Sequence, residues 1–161
     1  MVYEMKVKGL TLDPITSVPI VILKGVGHNK SLPIWIGIFE ANAILSELEN
    51  VVPSRPMTHD LIRNILASAG YQVVDITVTD LIDNTFYAAI KLKHNDATLT
   101  IDSRPSDAIA LALRVKAPIY VTEQVISKSK KVEIDKKKDE LDKWKEWLKN
   151  SQPEDFGKYK M

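Results

Sequence analysis

The chain of 161 residues is 45% hydrophobic and 27% charged, with 22 basic side chains against 21 acidic ones. That size and composition suit one compact domain with an appendage and exclude a disordered polymer. A net charge of +1 excludes a broad electrostatic grip on nucleic acid, and the absence of cysteine excludes disulfides, thiolate nucleophiles and zinc ribbons.

Val2 to Leu12 alternates apolar and polar residues, the period of a half-buried strand. Glu4 within it is unlike a secretory leader, and no run approaches the roughly 18 apolar residues of a membrane span, so a soluble cytoplasmic protein is expected. Asp13-Pro14 signals a turn before a second strand, Val18 to Val26. His28 to Ser31 forms a loop, and Leu32 to Ile36 is a short third strand in which Pro33 favours an edge. From Ile38 to Glu49 the spacing turns helical, with Ala41, Ile44, Leu45 and Leu48 on one face.

A second helix follows Arg55-Pro56-Met57, with Thr58 as its N-cap, an apolar stripe of Leu61, Ile62, Ile65 and Leu66, and Gly70 at its end. The earlier order then returns. Tyr71 to Leu81, Phe86 to Lys93 and Ala97 to Ile101 are strands, with a turn at Asp83-Asn84, and a helix runs from Pro105 to Arg114. Sliding the chain by 65 sets Ile36 on Ile101, Asn42 on Asp107, Ala43 on Ala108, Ile44 on Ile109 and Leu48 on Leu113. The expected fold is therefore α+β: a duplicated β-β-β-α unit with a mixed or antiparallel sheet, an intervening helix, and a last strand from Ala117 to Val121.

Composition breaks near Val121, giving a body of residues 1–121 at −1 and a charged helical tail of residues 122–161 at +2. Ser127 to Lys131 reads as a basic loop and Lys136 to Asn150 as a helix. Its narrow stripe of Leu141, Trp144 and Leu148 suits one groove, of the body or of a partner chain, with Phe156 beyond it as an anchor.

Polar residues gather at three helix starts: Glu40; then Arg55, Thr58, His59 and Asp60; then Asp102 to Asp107. Helix N-termini present free N–H groups and partial positive charge, which suit an anion. Asp102 and Asp107 are placed to share a hard divalent cation, and Arg104 and Arg114 are planar phosphate donors. Capping and pairing offer a structural alternative, in which Arg104 and Arg114 neutralise Asp107, Glu40 or Asp60. His28 and His94 fall in turns, and neither G-x-G-x-x-G nor a P-loop occurs.

These clusters carry a family resemblance. Leu32-Pro33-Ile34-Trp35-Ile36-Gly37 with Glu40-Ala41, then Arg55 to Leu61, then Asp102 to Ala112 resemble, in order, the bifunctional nuclease domain family. The ending Pro153-Glu154-Asp155-Phe156 is similar to the tail of many bacterial members. The resemblance implies a nuclease acting on RNA and DNA, with a divalent metal. The chemistry of the motifs supplies roles for such an enzyme. Asp102, Asp107 and Glu40 would hold Mg²⁺ or Mn²⁺. His59 would be general acid or base, with Asp60 beside it. Arg55, Arg104 and Arg114 would stabilise phosphate charge, and Thr58 and Ser106 would contact substrate. The alternatives are a non-catalytic binding or assembly module using the same Arg and Asp residues as an interface, and a binder of a small anion. RNA or DNA is the expected partner, no membrane is expected, and a homo-oligomer, most simply a dimer, is.

Overall fold

The computed structural model describes residues 1–129 and 138–150. The end of the expected basic loop, the first residues of the expected tail helix, and Phe156 lie outside the described residues.

Two three-stranded meanders build the molecule. β1 (Val2–Leu12), β2 (Pro19–Gly25) and β3 (Ser31–Trp35) pair antiparallel in succession, followed by α1 (Ile38–Leu48). After α2 (Thr58–Ser68), the unit repeats as β4 (Gln72–Ile82), β5 (Thr85–His94), β6 (Ala97–Ser103) and α3 (Pro105–Val115). The β4–β5 connection is a two-residue hairpin with Asp83 and Asn84 both left-handed (φ 49° and 60°), the conformation that matches the twist of paired strands.

β7 (Ile119–Thr122) lies between the meanders, antiparallel to β1 and parallel to β4, giving a seven-stranded sheet in the order β3-β2-β1-β7-β4-β5-β6. The two halves thus run outward from β7 in opposite senses. α1 and α3 pack on each other, and Ile44, Leu45, Ile109 and Ala112 join Leu23, Ile34, Ile76 and Val121 in one core.

The duplication is visible in details that the sequence shift of 65 does not align. Both repeat helices carry an acid at their third residue, Glu40 in α1 and Asp107 in α3, so Glu40 rather than Asn42 is the counterpart of Asp107. Short apolar helices give chance identities at several offsets, whereas the helix start is fixed by the backbone. Each half also packs a histidine near a tyrosine ring. His28 lies 5.2 Å from Tyr3 and bonds the Glu4 carbonyl; His94 lies 4.7 Å from Tyr71 and bonds the Gly70 carbonyl. Both histidines are half-buried rather than simply solvated.

The tail departs from expectation in one place. Glu123–Lys128 forms a short helix, α4, where a loop was expected from Ser127, and its Val125 is buried against the sheet. α5 (Lys138–Asn150) lies on β1 and α1 of the same chain. Leu148 and Leu141 enter the core, the Trp144 indole donates to Asn42 Oδ1 at 2.6 Å, and Lys145 and Lys149 flank Glu49 at 3.2 and 3.0 Å. The groove that takes the stripe belongs to the body. Among the described residues no helix is long and apolar enough to cross a membrane.

Candidate active site

α2 is attached in an unusual way. Its buried residues are polar, His59 and Asp60, while Leu61 and Ile65 of its apolar stripe are 53% and 57% exposed. The apolar stripe read from the sequence is thus largely turned to solvent, and α3 receives α2 through polar contacts instead. The helix begins one residue earlier than expected: Met57 is the N-cap, its N–H donating to Asp60 Oδ2 at 3.0 Å, and Thr58 is the first helical residue. Gly70, with φ 82°, ends it in the left-handed conformation that glycine adopts without steric cost.

Two arginines tie the three helix starts together. Arg104 Nε donates to Asp107 Oδ2 at 2.8 Å, and its Nη1 lies 2.9 Å from Glu40 Oε1. A Cβ at Gly37 would land on the Glu40 carboxylate, so the glycine lets that group fold back over the start of α1. Arg114 Nε donates to Asp60 Oδ1 at 2.8 Å, while Nη1 and Nη2 reach the carbonyls of Ala110 and Ala43 at 2.9 and 3.1 Å. These are the pairings of the structural alternative.

The two arginines differ in access. The Arg104 side chain is 64% exposed and the Arg114 side chain 3%. Arg114 and Asp60, expected among the catalytic groups, form a buried strut joining α1, α2 and α3. Arg104 keeps donors free toward solvent.

The second oxygen of Asp107, Oδ1, lies 2.9 Å from His59 Nε2. Among the described residues Asp107 is the only hydrogen-bond partner of this ring, and no buried side-chain nitrogen or oxygen there lacks a partner, so the second ring nitrogen meets solvent. With the proton assigned to Nε2 by this contact, Nδ1 is an acceptor. Burial works to raise the Asp107 carboxyl, but bonds from Arg104 and His59 outweigh it and hold the group below its ordinary range. Asp60 behaves alike: burial opposes, and the Met57 N–H and Arg114 prevail.

An open cleft of about 580 Å³ lies over this dyad. Thr58, His59, Asp102, Arg104 and Asp107 line it, with Ile62, Ile90, Ile101 and Leu111 as its apolar part. Five of the expected site residues therefore meet, and Glu40 stands behind them through Arg104. Ser106 is 6% exposed within α3 and does not line the cleft, and Arg55 is exposed without an ion pair among the described residues. The four apolar lining residues carry no site signal in the sequence, where they read as ordinary strand and helix positions.

The carboxylates expected to hold Mg²⁺ or Mn²⁺ do not form a cage. Both oxygens of Asp107 are engaged by protein donors, His59 and Arg104, and Glu40 faces the same Arg104. Among the described residues no group of three or more His, Asp or Glu side chains is arranged to hold a metal.

Comparisons with known proteins agree with this motif architecture. The model of the bifunctional nuclease domain matches residues 21–134. An uncharacterized protein of Mycobacterium tuberculosis is 37% identical over 162 aligned positions, covering 95% of this chain and 97% of its own. Bifunctional nuclease 1 of Oryza sativa subsp. indica is 28% identical across 62% of this chain, and bifunctional nuclease 1 of Arabidopsis thaliana 29% identical across 64%. The matched segment is 31% and 33% of those plant proteins. With the domain model covering most of β2 through α4, the chain belongs to the bifunctional nuclease domain family.

Proposed function

We propose that the cleft over the His59–Asp107 dyad is the active site of a nuclease that cleaves phosphodiester bonds in RNA or DNA. The observation that carries this reading is the Asp107–His59 contact, with His59 and the exposed Arg104 side chain lining the same cleft. Asp107 fixes the orientation of the imidazole through the Nε2 contact. His59 Nδ1 removes a proton from the attacking hydroxyl or water and later returns it to the leaving oxygen. Arg104 meets the phosphate through its outward donors, and its neighbours Asp107 and Glu40 keep it charged and aimed. Thr58 and Asp102 flank the approach. The family match and the plant relatives named as nucleases support the reaction class.

No step of this reading runs through a metal ion, since a cation at Asp107 would have to displace Arg104. Cleavage of RNA and single-stranded DNA, with and without chelator, tests the scheme beside His59→Gln. Loss of about 10²–10⁴-fold in turnover with an unchanged melting temperature is expected. Activity that survives the substitution would assign the cleavage to a contaminant. The polar attachment of α2 favours a second reading, in which the same network only holds an assembly together. His59→Gln would then lower the melting temperature with no turnover to lose.

A further inference from the structure

The cleft over the dyad joins polar chemistry to a hydrocarbon wall made of Ile62, Ile90, Ile101 and Leu111. Helical spacing sets the two side by side. Ile62 follows His59 by three residues on α2, and Leu111 follows Asp107 by four on α3, so each lies about one turn, roughly 5.4 Å, from its polar neighbour. Ile90 and Ile101 are direct partners across β5 and β6 and add the sheet's share of the wall. Ile62 and Ile101 are 37% and 45% exposed, which leaves apolar surface open to water inside the cleft. Positive charge is scarce there. Among the described lining residues Arg104 is the one permanent cation, and it already serves Asp107 and Glu40. Lys91 and Lys93 alternate with Ile90 and Leu92 along β5, so they face the other side of the sheet.

We infer, resting on the nuclease reading above, that the cleft holds single-stranded nucleic acid by one unpaired nucleobase. The base lies on Ile62, Ile90, Ile101 and Leu111 while a phosphate of the same strand meets Arg104. The volume of about 580 Å³ is of the size that encloses a small organic group, roughly 300–1,000 Å³. Bases in a duplex are paired and stacked, so their faces are withheld from an apolar wall. A duplex would offer this cleft phosphates alone, and one exposed guanidinium beside Asp102, Asp107 and Glu40 is a poor match for a polyanionic backbone. An unpaired base brings a flat, weakly polar face to surface that is otherwise in water. Affinity then comes chiefly from apolar area removed from water, and salt, which weakens phosphate contacts, has little to act on. The near-neutral body, at −1 over residues 1–121, fits a protein that holds its substrate by a base.

The test is fluorescence anisotropy of a labelled oligonucleotide, single-stranded and duplex, with full-length His59→Gln protein, which leaves the substrate intact. The single strand is expected to bind about tenfold tighter than the duplex. Between about 50 and 200 mM salt its affinity is expected to fall only about threefold, the log–log slope of about −0.7 that one phosphate contact gives. A strand of equal length built of abasic sugars is expected to bind about tenfold more weakly. Ile62→Ser is expected to cause a similar loss with the slope unchanged, and its thermal melt serves as the folding control. Equal affinity for the duplex, an abasic strand bound as tightly as a normal one, a slope steeper than about −3, or no binding of the single strand each overturns the inference. Wild-type turnover judges the nuclease reading separately. His59-dependent cutting of duplex and single strand alike keeps that reading and removes this one, and base-dependent binding without any cutting does the reverse.

Discussion

The first repeat and the second share a plan and differ in closure. In the first, α5 lies over β1 and α1, and the edge strand β3 is buried. In the second, β6 is exposed, and α2 leans on α3 through His59 and Asp60, leaving a cleft beside it. Both repeat helices begin with an acid, yet Glu40 serves as a rear support while Asp107 faces the cleft. A duplicated unit therefore need not duplicate its surroundings: one half is covered by α5, and the half left open presents polar groups in a cleft.

The strongest way to break this contrast is to cut the strut between the halves. Arg114→Ala leaves Asp60 without its buried partner and deprives the Ala43 carbonyl of a donor, and a loss of about 3–5 kcal/mol is expected in denaturant unfolding. Leu148→Ala addresses the covered half alone. With the side chain almost wholly inside the core, about 2–5 kcal/mol of destabilisation is expected, while nuclease turnover per folded molecule stays unchanged. A larger fall in turnover than in folded fraction would mean that α5 also shapes the cleft.

Acid gives the gentlest separation. The Asp60 and Asp107 carboxyls in the open half, and Glu49 under the α5 lysines, are all held below their ordinary values. For Glu49 the Lys149 bond leads, opposed by burial and aided by Lys145. Groups lowered in the folded state bind fewer protons there, so their stabilisation is complete above the ordinary values of 3.8 for Asp and 4.5 for Glu. It is lost as pH falls through the lowered folded values. Melting temperature is expected to fall in that window, and Asp60→Asn to show a shallower acid slope from a lower starting point.

Much of the fold can be read from local pattern. Local apolar runs and turn signals locate all seven strands to within a residue or two, and Asp83-Asn84 declares its hairpin. The site is legible in its parts but not in its assignments. Asp102, Arg104 and Asp107 announce a helix start, and His59 another; that the two starts meet depends on α2 packing over α3, which no local pattern encodes. The same limit explains the apolar stripe of α2. Periodicity tells which face is apolar, and nothing in Leu61, Ile62 and Ile65 tells whether the body has a surface to cover them. Arg114 and Arg104 look equivalent as planar cations; burial alone makes one a strut and the other a contact.

The position of β7 bears on how the chain comes together in time. Neither meander pairs with the other directly; each pairs with the four residues Ile119 to Thr122. Val2 finds its partner only at Thr122, a separation that makes this the slowest loop of the sheet to close. Each meander has its own hairpins and can form on local contacts as the chain emerges. Their joining waits on a short segment that arrives after both, so strand β7 acts as the latch by which two early-formed pieces become one cooperative body.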